Sequence, residues 1–133
     1  MQEKIIRKIL YISGTVTMLA GLQFIAPTLF LQASGMQVGD VTGLFFARHW
    51  GLMAFVVGAL IIYSVKQAQA RKAILLAAAV EKLGLVVMLA INWTEPALQG
   101  LYIAAMFDGA CVVLYLIYLL GKSPTSSAPP AQI

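Results

Sequence analysis

Charge is scarce in this chain. Charged residues occupy 11% of its 133 positions, against about 25% in an ordinary soluble domain. A charge in hydrocarbon costs several kcal/mol, so the depletion fits lipid as the solvent. Cysteine is nearly absent. The single Cys111 cannot form an intramolecular disulfide and leaves the redox compartment unread. The sequence has no Gly-rich phosphate loop, no C-x-x-C and no H-E-x-x-H. It offers no Ser, His and Asp at one depth for nucleophilic catalysis. His49 is the one histidine, whereas zinc and di-iron sites need several His or carboxylate ligands at fixed spacing. No metal or cofactor is therefore expected. No internal repeat stands out. The first apolar stretch is too long for a signal-peptide h-region and lacks a following A-x-A site, so it reads as a retained span.

What the sequence does have is long apolar runs, in which hydrophobic residues reach 61% of the total. Four stretches, at about 9–31, 44–65, 73–93 and 97–120, each hold roughly 20 residues or more, enough to cross a ~30 Å hydrocarbon core. Backbone groups find no water there, so the spans must be helices. Short connections imply antiparallel neighbours. The expected fold is an all-α membrane protein: an antiparallel four-transmembrane-helix bundle over 1–121, with a disordered polar tail over 122–133. Pro124, Pro129 and Pro130 and the Ser- and Ala-rich composition argue for that tail.

The basic residues are placed unevenly. Lys4, Arg7 and Lys8 precede the first span, Lys66, Arg71 and Lys72 lie between the second and third, and Lys122 follows the fourth. The remaining two connections carry only Asp40 and Glu95. By the positive-inside rule both termini face the cytoplasm, with the protein in a bacterial cytoplasmic membrane. The net charge of +4 thus reports orientation rather than nucleic-acid binding. Trp50, Trp93 and Tyr102 mark the outer boundary, and Tyr11, Tyr63 and Tyr118 the inner one.

Ionisable residues inside a membrane call for a functional hypothesis. Five qualify: Arg48, His49, Glu81, Lys82 and Asp108. At ~1.5 Å per residue, Glu81 is roughly 12 Å in from one side and Asp108 roughly 16 Å from the other, so both carboxyls lie near the midplane. Helical phase puts Glu81 on one face with Leu85, Met88 and Asn92, and Asp108 with Ala104, Val112 and Tyr115. If both faces point inward, the bundle holds a polar column. Gln23, Arg48 and Asn92 form its outer end, and Glu81, Asp108 and Tyr115 lie deeper. Arg48 is expected to pair with Asp108 or Glu81, or else the acids are protonated and hydrogen-bonded between helices. Lys82 is expected to snorkel to the cytoplasmic surface and Arg48 to the outer one. Neither carboxyl should face lipid.

Small residues recur at helix-packing spacing: Gly14 and Gly21, Gly51 and Gly58, the run Ala77 to Ala79 with Gly84, and Ala104, Ala105 and Gly109. These let backbones approach closely in lipid. Small size, small-residue faces and no catalytic set point to a non-enzymatic accessory or scaffold subunit of a larger membrane complex. Its expected partners are lipid and another membrane protein or a second copy. The alternative is an intramembrane small-molecule-binding protein or enzyme. Its polar site would draw on Arg48, His49, Glu81, Asn92, Asp108 and Tyr115.

The layout resembles that of the DoxX-like superfamily of small four-helix membrane proteins. The first span carries Gly21 and ends in Pro27, and Gly35 lies in the loop. The second span carries Ala47-Arg48, Gly51 and Gly58, the third follows Arg71-Lys72, and an Asp sits in the fourth. The superfamily took its name from a link to a quinone-coupled oxidoreductase but is functionally diverse. The resemblance therefore implies a fold and no active site. His49 and Trp50 match no role in it.

Overall fold

The computed structural model describes residues 2–37 and 39–121. The tail expected over 122–133 lies outside the described residues. Among those described there are helices and no strands. The protein is an all-helical, antiparallel bundle of four long apolar segments, Glu3–Ile25, Val41–Lys66, Ala68–Ile91 and Pro96–Gly121, each long enough to cross a membrane. They are built from α1 (Glu3–Leu19), α2 (Leu22–Ile25), α3 (Pro27–Ala33), α4 (Val41–Lys66), α5 (Ala68–Ile91), a 3-10 turn (Pro96–Leu101) and α6 (Tyr102–Gly121).

Local chemistry sets these boundaries. The α1 ladder tightens at its end, where Ala20 and Gly21 donate to Thr17 and Met18, three residues back. Pro27 then starts α3 at a position where a missing N–H is harmless. Helix α3 ends in a Schellman motif: Met36 donates to the Leu31 carbonyl and Gly35 to that of Gln32. Gly35 takes φ +77°, a conformation that suits glycine because it has no Cβ. Asp40 caps α4, its Oδ1 accepting from Gly43 N at 2.7 Å.

The expectation of one unbroken first span over 9–31 is corrected. The chain becomes helical at Glu3, and Ala26 separates the crossing segment from α3. The third span begins at Ala68 rather than 73, because Gln67 alone joins α4 to α5. Arg71 makes that tight corner possible. Its Nε and Nη2 donate to the carbonyls of Ser64 and Val65, each at 2.9 Å. Carbonyls near a helix C-terminus otherwise lack intrahelical partners.

Helix α1 packs on α4, α4 on α5, and α5 on α6. The α1–α4 seam depends on glycine. A Cβ on Gly58 would lie 2.6 Å from the Gly14 carbonyl and from Met18, so the two backbones touch there. Gly51 makes a similar approach to the backbone of Gln23 and Phe24 in α2. The densest core lies toward the basic end of the bundle. Ile6, Leu10, Ile61, Leu75 and Ala78 fill it together with Tyr115 and Tyr118. Tyr118, expected in an interfacial belt, is one of these core residues.

Candidate functional site

The core does not continue to the other end. Beyond Thr17 the helices enclose a cavity of about 510 Å³. Small-molecule sites typically measure ~300–1,000 Å³. Its walls are largely apolar and include Phe30, Trp50, Ala54, Ala104 and Phe107. Near the end that carries Asp40 and Glu95, α3 and the 3-10 turn meet over it, with Gly100 set directly against the Ser34 carbonyl. A side chain on Gly100 would collide with that carbonyl. The cavity is not sealed. Val16, Leu19, Ala33 and Ile103 line it and are also exposed, so it opens on the side of the bundle that these residues of α1, α3 and α6 share.

The polar groups converge at the cavity floor. Lys82 on α5 is 2% exposed. Its Nζ donates to Asp108 Oδ1 at 2.7 Å and to Thr17 Oγ1 at 3.0 Å. Three helices are thereby tied by one ammonium group. Nζ also stands 5.3 Å from the centre of the Phe107 ring, a cation–π contact. Glu81, the preceding residue, is half-buried and lines the same cavity. Its Oε2 is fully buried and has no hydrogen-bond partner among the described residues. An acceptor in that state is costly unless a donor reaches it.

Below the floor the polar contacts continue toward the basic end. Ser13 and Tyr115 share a buried hydrogen bond of 2.6 Å. Farther down, Arg71 Nη1 lies 3.0 Å from both Glu3 carboxylate oxygens and 3.3 Å from the Tyr118 hydroxyl. Arg71 is buried, whereas Glu3 is 59% exposed. This lower cluster closes the bundle and does not line the cavity.

The residues singled out from the sequence separate into three groups. Asp108 and Glu81 come together at the floor, and both point into the bundle. Tyr115 is buried just beneath them. Arg48, His49 and Asn92 do not join the site. Arg48 and His49 are exposed on the surface of α4. Asn92 is exposed at the end of α5 and donates to the Met88 carbonyl of its own helix at 2.8 Å.

The place expected for Arg48 is taken by Lys82, which does not snorkel. Helical phase explains the difference. Lys82 is in register with Arg71, Leu75, Ala78, Ala79 and Leu89, the other buried residues of α5. That register was available in the sequence as a signal. So was Thr17, which shares a face with Ser13, Gly14 and Leu10. Gln23, expected in the outer polar layer, is buried and donates to the Ala47 carbonyl at 2.6 Å, bracing α2 on α4.

Comparison with protein-family models, with curated proteins and with solved structures gives no match.

Proposed function

We propose that this integral membrane protein binds a lipid-soluble small molecule in the cavity floored by Thr17, Glu81, Lys82 and Asp108. One observation carries the reading. The Glu81 carboxyl and the buried Lys82–Asp108 ion pair together line one wall of an otherwise largely apolar cavity. Apolar walls with a few convergent polar groups are the usual make-up of a small-molecule site. The mouth beside Leu19 and Ile103 favours entry from the bilayer rather than from water.

The proposal includes an orientation. The basic end, with Lys4, Arg7, Lys8, Lys66 and Lys72, faces the cytoplasm, in a bacterial cytoplasmic membrane, and the cavity occupies the outer half of the bundle. The layout likeness to the DoxX-like superfamily supports the same bundle and adds no site. The accessory-subunit reading rests on small size and small-residue faces. It becomes the better account if the cavity takes no ligand.

The test uses Trp50, which lines the cavity. In a Trp93→Phe background in nanodiscs, Trp50 fluorescence is titrated with bromine-labelled alkyl amphiphiles bearing amine, alcohol or carboxylate heads. Saturable quenching by at least one of them, lost when Ala104→Phe or Ala33→Phe fills the space, is the expected result. Quenching that never saturates, or that ignores both filling substitutions, would overturn the reading.

A further inference from the structure

The charges at the cavity floor do not balance. The side chains lining it come from α1, α3, α4, α5, the 3-10 turn and α6. Only three of them are ionisable as charged groups: Glu81, Lys82 and Asp108. Two carboxyls face one ammonium. Lys82 is committed to Asp108 and Thr17, and no bond from it to Glu81 forms. Arg48, the nearest basic residue along α4 to the lining Trp50, is exposed and outside the lining. The unmatched group is therefore the Glu81 carboxyl, which lines the cavity; its donor-less Oε2 is itself closed off from the cavity. Asp108 engages Lys82 through Oδ1 alone, which leaves its second oxygen as another acceptor at the floor.

We propose that the ligand is a lipophilic amine. Its protonated amino head occupies the floor beside Glu81 and Asp108, and its chain lies along Phe30, Trp50 and Phe107 toward the mouth. This rests on the binding reading above. An ammonium group matches the floor in two ways at once. It supplies the missing positive charge, and it brings several N–H donors to the Glu81 carboxyl and the second oxygen of Asp108. In a low-dielectric site such a pairing is much stronger than in water. A neutral alcohol can satisfy one acceptor but leaves the charge unmatched. A carboxylate head would add a third negative group and is repelled.

Dodecylamine, dodecanol and dodecanoate, compared as bromine-labelled probes in zwitterionic nanodiscs by Trp50 quenching, decide the matter. With the wild-type floor the amine binds at least about tenfold more tightly than the alcohol, a difference of ~1.4 kcal/mol, and the carboxylate binds most weakly. Glu81→Gln keeps the shape and removes the charge, and it brings amine and alcohol to within about threefold of each other, roughly 0.65 kcal/mol.

The head-group ranking on the unsubstituted floor stands alone should Glu81→Gln fail to fold. Equal binding of amine and alcohol, tighter binding of the carboxylate, or an amine preference that survives Glu81→Gln would each overturn the amine assignment while leaving ligand binding intact. Absence of saturable quenching by all three probes would overturn both.

Discussion

Lys82 and Asp108 meet at 2.7 Å across the α5–α6 interface, each well within its helix and each nearly excluded from the surface. Neither charge is open to the surface of the bundle except through the cavity that both line. Each is tolerated in a membrane interior only because the other is present.

The pair should therefore respond unequally to single and double substitution. Asp108→Asn leaves a buried ammonium with no counter-charge of its own, and the expected loss is about 3–5 kcal/mol. Lys82→Met strands the carboxylate and is expected to cost a similar amount. The double substitution Lys82→Met with Asp108→Leu should cost clearly less than the sum of the two, because it removes both charges together. Reversible unfolding in mixed micelles measures all three. Strict additivity would show that the ion pair is not coupled.

The hydrogen bond between Ser13 and Tyr115 is the direct link between α1 and α6 beneath the cavity. Tyr115→Phe should lower stability by about 0.5–1.5 kcal/mol, toward the lower figure because interhelical bonds in membranes average roughly 0.6 kcal/mol. Ser13→Ala should do the same, and the two together should cost little more than either alone. The same micelle unfolding assay reads the coupling.

Arg71 and Glu3 form an ion pair whose two ends are not equivalent. Glu3→Gln removes an exposed partner and should change stability by less than ~1 kcal/mol, as exposed pairs do. Arg71→Lys should be far more damaging. A lysine has one nitrogen, whereas Arg71 reaches Ser64, Val65, Glu3 and Tyr118 from three. Comparable effects from the two substitutions would show that the Glu3 contact, rather than the capping of α4, gives Arg71 its importance.

The glycines divide by their surroundings. Gly58→Ala places a methyl group against the Gly14 carbonyl and Met18 and should cost roughly 1–3 kcal/mol by overpacking the α1–α4 seam. Gly84→Ala meets nothing within 4 Å and should be neutral or stabilising by up to about 1 kcal/mol. Thermal unfolding in detergent separates them. A neutral Gly58→Ala would mean that α1 and α4 do not pack this closely.

The proposed orientation is checked by Gln37→Cys in a Cys111→Ala background. Membrane-impermeant maleimide should label it from outside the cell and not from the cytoplasmic face. Cytoplasmic labelling would invert the bundle and move the cavity to the inner leaflet.

Much of this molecule was legible in the sequence. Length and apolarity alone require four helical crossings, because an unpaired backbone group cannot survive in hydrocarbon. The short connections make neighbours antiparallel. The cost of a lipid-facing charge places Glu81 and Asp108 inside, and the glycines at 14, 51 and 58 announce where helices touch.

Which cation would face which acid was decided only by the tertiary structure. Arg48 and Lys82 lie in membrane-length helices beside plausible partners, and both side chains are long enough to snorkel. In the folded bundle Lys82 is buried and bonded to Thr17 of α1 and Asp108 of α6, whereas Arg48 is exposed on α4. The cavity is likewise invisible in one dimension. Its walls come from α1, α3, α4, α5, the 3-10 turn and α6, and only their packing brings those residues together.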